Sequence, residues 1–257
     1  MKFPSGSTGK NDANGTVRQT WVIYLLPFLE QSALSAQVDY QLAFHVAPNT
    51  IQNTMDGTTG QQVPMFLCPS DSGNPNQDDP STPYQRTRGN YIVNWGNAIY
   101  PKGGGATSSF VMPVGGLAPF SYVNGNRGTP GKVGFGSMND GSSNTLMMSE
   151  GLLPVSAKDE DWRGDIHNDD GVFRFHTINP PNSSVPDVIN FSVSNGDPLQ
   201  PVVKGLMGEC SARSRHSGGV NASRCDGSVG FFTSDTSPDD WSALGTMNGG
   251  EVVNPLE

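Results

Sequence analysis

Few residues in this 257-residue chain have the type and spacing to do chemistry. His216 stands just before a Ser217-Gly218-Gly219 turn, and Asp226-Gly227 follows after nine residues. Asp165-Ile166-His167-Asn168-Asp169-Asp170 gathers hard oxygen donors around one imidazole. Within it Asp165, Asn168 and Asp170 have the spacing of a calcium loop without the full EF-hand pattern, so Ca²⁺ is the cofactor these donors suit. His167, His176 and His216 would make a transition-metal site if the fold gathered them. Glu150 closes a strand-like run and, with Asp165, Asp169 and Asp170, supplies the carboxylates that a glycosidase uses in pairs. Ser217 beside His216 is adjacency in sequence, not the geometry of a triad, and no GxSxG is present. Each group also has a plain structural role: solvated loop acid, hydrogen-bonding histidine, or, for Asp226, the residue a tight turn requires.

Aromatic residues offer a different chemistry. Trp21, Tyr91, Trp95 and Trp241 lie inside strand or helix patterns and are expected in the core. Tyr100 and Trp162 lie in loops, where they would form a platform for a polysaccharide.

The elements that must position these groups are short. Thirty-two Gly and 20 Pro make up roughly a fifth of the chain, only 15% is charged and 34% is hydrophobic, which predicts short strands joined by turns and long loops. The run from Trp21 to Val38 is the one main helix. Short strands are expected over residues 63–67, 90–95, 145–149 and 172–178. A hairpin over 219–232 is expected to turn through a type I′ Asp226-Gly227, with His216 at its mouth and Asp226 at its tip, too far apart to meet. Ser237 and Pro238 read as the N-cap and first position of a terminal helix. The fold class is therefore α+β and β-rich, and residues 1–19 are expected as a flexible start.

Net charge is −9, which repels a phosphate backbone and argues against nucleic acid as a partner. Cys68, Cys210 and Cys225 contain no CxxC pair, against a zinc ribbon or a thioredoxin-like site, and admit one disulfide with one thiol over. No signal peptide or membrane span is legible. The opening Met1-Lys2-Phe3-Pro4 reads as an initiator methionine on the interior of a longer chain, and Leu256-Glu257 as a cloning scar.

Several stretches, taken in order, resemble one family. They are WVIYLLPFLEQ at 21–31, FLCPSD at 66–71 followed by Asn90-Tyr91, DGSSNTLMMSE at 140–150, the His216 to Asp226-Gly227-Ser228 motif, WSALG at 241–245 and GGEVV at 249–253. The set is similar to the bacterial type II secretion-like pseudopilins that carry a His-nine-residues-Asp-Gly domain of unknown function. The resemblance implies a single pilin-like head over 1–257: an antiparallel sheet with long Gly- and Pro-rich loops, normally preceded by a membrane-anchoring hydrophobic helix. It implies an extracytoplasmic, membrane-anchored, non-enzymatic subunit that meets other pilin-like subunits through that helix and is a monomer as an isolated head. It implies no catalytic residues. A cysteine on the family's helix would account for Cys68 as the thiol without a partner. The chain departs from the family at Cys225, where a small apolar residue is usual, and at Arg224 on an inward strand position. Two other functions fit the residues themselves: an extracytoplasmic glycan-binding module, with or without calcium, and a carboxylate- or metal-dependent hydrolase using Glu150, Asp165 or His216.

Overall fold

Apolar runs of a few residues between turns can only make short strands, and the chain is accordingly α+β and sheet-rich. The structure is a computed structural model that describes residues 2–8, 17–97, 117–121, 133–205 and 209–251. Two helical turns, α1 (Trp21–Leu25) and α2 (Ser32–Ser35), come first. A small antiparallel pair follows, β1 (Asn76–Gln77) with β2 (Arg86–Thr87). The main strands are β3 (Tyr91–Asn94), β4 (Leu146–Glu150) and β5 (Arg174–Phe175). Next come β6 (Asp187–Ile189) and β7 (Val202–Lys204), which pair parallel in a sheet of their own. The main sheet is completed by β8 (Gly219–Arg224) and β9 (Val229–Thr233), in the order β5-β3-β4-β8-β9. It is antiparallel except for the β3/β5 edge. Helix α3 (Pro238–Leu244) ends the described fold, with the Ser237 side chain capping it as its sequence predicts.

Directly opposed residues in a sheet share a face, so the register sorts the side chains. Ile92, Ser149 and Ala222 fall on one face, with Val220 and Phe232. All five are buried, and Trp241 of α3 packs 5.5 Å from Phe232 and 6.1 Å from Phe175. Tyr91, Glu150, Asn221 and Phe231 fall on the other face, with Met148, Ser223 and Val229. On that face Val229 and Phe231 remain 69% and 49% exposed.

The main N-terminal helix forms with breaks, and three further sequence expectations need correction. The stretch from Trp21 to Val38 is helical in pieces: α1 runs into a 3₁₀ turn at Leu26–Phe28, Glu30 takes φ +59°, and α2 restarts beyond it. Pro27 has no N–H to give to a continuing helix, which explains the break. Residues 63–67 form a 3₁₀ turn at Pro64–Phe66 rather than a strand, since Pro64 suits the first position of a turn. The 172–178 strand shrinks to β5, and both sides of Val172 to Thr177 are buried, so the sequence alternation there does not separate core from solvent. In the hairpin only Gly227 has positive φ (+88°); Gly227 N–H donates to Arg224 O at 3.0 Å and Arg224 N–H to Ser228 O at 2.8 Å. This is a three-residue connection with a left-handed glycine, not a type I′ turn. Residues 2–8 make backbone contacts with the rest of the fold. Phe3 N–H donates to Val133 O (2.8 Å), Gly6 N–H to Ser121 O (2.9 Å), and Ser7 bridges Thr20.

Candidate functional site

Three side chains able to bind a proton or a metal stand at the margins of short elements, and the fold brings them together. Glu150 is the last residue of β4. Cys68 follows the Pro64–Phe66 turn and opens a tight turn closed by Asp71 N–H to Cys68 O at 3.1 Å. His216 lies on the approach to β8. Its Nε2 is 3.0 Å from Glu150 Oε1 and 3.6 Å from Cys68 Sγ, and Sγ is 3.5 Å from the same Oε1. Among the described residues this is the one group of three His, Cys, Asp or Glu side chains whose donor atoms all lie within 4.8 Å of one another. Cys68 and Glu150 are buried, while the His216 side chain is 28% exposed, so the cluster opens to solvent on the imidazole side.

Each member is anchored from behind. Cys68 N–H donates to Asn90 Oδ1 at 2.9 Å. Glu150 Oε2 accepts the Asn221 N–H at 2.7 Å, which turns Oε1 toward the histidine. His216 N–H donates to Ser214 Oγ (3.1 Å), whose hydroxyl donates to Gly219 O (2.8 Å). Asp71 ties the three segments to one another. It accepts from Asn90 Nδ2 (2.7 Å), Leu153 N–H (2.8 Å) and Arg215 Nε (3.1 Å), and its side chain is only 2% exposed.

The arrangement differs from a nucleophilic triad. In a triad the histidine uses one ring nitrogen for the nucleophile and the other for the acid. Here the single Nε2 faces both the sulfur and the carboxylate oxygen. Burial pushes the Cys68 thiol up, and the Glu150 carboxylate beside it adds to the rise against hydrogen bonds from Ser70 that lower it. Without a cation the sulfur is therefore a thiol at neutral pH, not an activated thiolate. Tyr91, opposite Glu150 on β3, has its phenol raised by burial and by the same two neighbours.

Of the residues singled out in the sequence, His216 is in this cluster and Asp226 is not. Asp226 is exposed at the far end of the β8–β9 hairpin, where its Oδ1 accepts Ser228 N–H (2.9 Å) and Ser228 Oγ–H (2.7 Å), and Gly227 supplies the left-handed residue. His167 and His176 do not join His216. His167 Nε2 lies 3.3 Å from Thr87 Oγ1, and His176 Nδ1 accepts Cys210 N–H at 3.2 Å. In the 165–170 loop the carboxylates face arginines. Arg86 Nε donates to Asp165 Oδ1 (2.7 Å) and its other arm pairs with Oδ2; Arg18 bonds Asp169 (2.6 Å), Asp170 (2.9 Å) and Asn168 Oδ1 (3.1 Å). The carboxylates of Asp165 and Asp170 thus pair with guanidinium groups, the Asn168 amide oxygen accepts from Arg18, and ion pairs knit the loop. Trp162 is half-buried and packs on Phe191 at 4.5 Å, on the wall of a cleft of about 300 Å³. Tyr100 lies outside the described residues.

The three cysteines are free and buried, so the structure contains none of the disulfides that three thiols allow. Cys225 fills a small apolar cluster with Val133, Met138 and Met247, and burial pushes its thiol up to about 12. Sequence reasoning missed Cys68 as a partner of Glu150 and His216. Each donor lies in a different family-like stretch, Cys68 within 66–71, Glu150 closing 140–150 and His216 opening its motif, so the shared signal is spatial rather than linear.

The chain matches, over residues 1–239, the family described as "Protein of unknown function (DUF1559)", and it belongs to that family. Neither the search of curated proteins nor that of solved structures returns a match.

Proposed function

We propose that this chain is the head of a pilin-like envelope subunit that works by assembly and carries out no reaction of its own. The supporting observation is the outward face of the β8–β9 hairpin. Val229 and Phe231 stand on one sheet face, well exposed, beside partly buried Met148 and Tyr91. Large apolar side chains grouped on a sheet face suit a permanent neighbour. The family-like stretches interlock through hydrogen bonds of Asp71 with Asn90 and Arg215. In this reading a hydrophobic helix N-terminal to the chain forms the polymer core, and the head covers it. Shearing and fractionating native cells tests the idea: the protein is expected with the envelope or sheared-filament fraction, and recovery in the cytosol alone would overturn it. Phe231→Glu should leave the folded head intact while removing it from that fraction.

One observation favours a second reading, a polysaccharide-binding head. The cleft walled by Trp162, Phe191 and Tyr84 also contains Gln77. That side chain is fully buried, and neither its amide oxygen nor its amide nitrogen has a hydrogen-bond partner among the described residues. Buried amides are normally satisfied, and a sugar hydroxyl both donates and accepts. Retention on immobilised cell-wall polysaccharides that Trp162→Ala and Gln77→Ala both abolish is the expected result. Equal retention of wild type and both variants would refute it.

A further inference from the structure

We propose that Cys68, Glu150 and His216 form a mononuclear site for a divalent zinc-class ion, with three protein ligands and a fourth position open to water. The donor set is sulfur, imidazole nitrogen and carboxylate oxygen, the combination that borderline-soft Zn²⁺ takes. Zinc bonds of about 2.3 Å to sulfur and about 2.0–2.1 Å to nitrogen and oxygen, set at tetrahedral angles, put sulfur roughly 3.5 Å from each partner and nitrogen roughly 3.3 Å from oxygen. The observed edges are 3.6, 3.5 and 3.0 Å. A hard ion such as Ca²⁺ would want six or more oxygens, which this cluster does not supply.

Charge points the same way. A thiolate and a carboxylate together cancel a divalent cation, so the occupied site is neutral where two of its three ligands are buried. On binding, the Cys68 S–H bond breaks, its proton leaves to solvent, and the sulfur lone pair forms the metal bond. His216 binds through Nε2 as neutral imidazole with its proton on Nδ1, and Glu150 binds through Oε1. Nothing is oxidised or reduced. The partners behind the ligands are of the kind that orient a metal site: the Asn221 N–H on Glu150 Oε2, the Asn90 amide on the Cys68 N–H and the Ser214 hydroxyl on the His216 N–H. The exposed edge of His216 leaves the fourth corner to solvent, as in sites that exchange a ligand.

The site is independent of the pilin-like reading, since it uses residues within the head alone. Cobalt(II) titration of the purified chain, prepared metal-free, tests it. The expected result is one Co²⁺ per chain, with the near-ultraviolet thiolate-to-cobalt band and the intense visible bands of a four-coordinate ion, all displaced by Zn²⁺. Cys68→Ser should lose the charge-transfer band and His216→Ala the tight binding, while Cys225→Ser, far from the cluster, keeps both. Ser214→Ala should weaken binding about 10–100-fold with the spectrum unchanged in shape. Circular dichroism at matched temperature separates ligand loss from unfolding. If Cys68→Ser does not fold, zinc protection of Cys68 against alkylation in the wild-type chain, mapped by mass spectrometry, serves instead. Absence of a four-coordinate spectrum, its survival in Cys68→Ser, or equal alkylation of Cys68 with and without zinc would overturn the proposal.

Discussion

Residues of one type behave differently here according to what surrounds them, and three of the four histidines show it best. His216 is partly exposed beside a carboxylate, whereas His167 and His176 are buried. Burial lowers His167 to about 4, with Arg86 adding to the effect against an opposing pull from Asp165. Burial and the Arg174 guanidinium lower His176 to about 3. Both are neutral in the folded chain but charge near pH 6.5 once unfolded. The unfolded state therefore binds more protons below that pH, so stability is complete above about 6.5 and is lost as pH falls toward 4 and 3. Each histidine should cost about 2 kcal/mol between pH 6.5 and pH 5. Urea midpoints across that interval, compared with those of His176→Gln, check the point; an identical slope in the variant would count against it. Asp226 marks the contrast at this scale. The sequence places it beside His216 in one motif, but its work is local, and the residue that meets His216 is Glu150, 66 positions away along the chain.

At the scale of elements, local chemistry decides where pieces begin and end. Ser237 and Pro238 start α3 as expected, because capping acts within one turn. The hairpin forms where its strand patterns predict, but its turn is not type I′. Gly227 alone takes positive φ, and Asp226 instead holds Ser228 through its side chain. The expected main N-terminal helix forms, with breaks at Pro27 and Glu30. Glu30 is exposed and left-handed, a conformation costly for a residue with a Cβ and free for glycine. Glu30→Gly should therefore stabilise the chain by about 0.5–1 kcal/mol, read as a raised Tm. A lowered Tm would mean the Glu30 side chain makes a contact that outweighs the backbone strain.

For the molecule as a whole, buried ion pairs hold the loops. The chain has only 34% hydrophobic residues, yet several arginines are buried. Arg86 meets Asp165, Arg163 meets Asp161 and Arg213 meets Asp187. Asp187 grips Arg213 at 2.8 and 2.9 Å and also accepts Ser211 N–H at 2.9 Å, which ties β6 to the segment before β8. Asp187→Ala would leave a buried guanidinium unpaired, a change that costs about 3–5 kcal/mol. Chemical denaturation of that variant beside the exposed control Asp235→Ala measures it, and equal midpoints would show that the pair adds little. The acidic clusters that suggested calcium belong to this same system. The density of Asp in 165–170 was legible, but its arginine partners lie at 18 and 86, so only folding could show that those carboxylates meet guanidinium groups.

The sequence by itself determined the α+β class, the sites of most main strands, the capped C-terminal helix and membership in a family. Those features depend on neighbours a few residues apart or on ordered motifs, both of which a linear reading contains. Tertiary structure alone decided the site. Cys68, Glu150 and His216 are 82 and 66 residues from one another along the chain. They meet because the β3-β4-β8 register sets Glu150 beside Asn221, and because Asp71 ties the Cys68 turn to Arg215 next to His216. Donor type is a property of a residue, whereas donor distance is a property of strand pairing and of buried hydrogen bonds between distant segments, and no spacing in the sequence carries it.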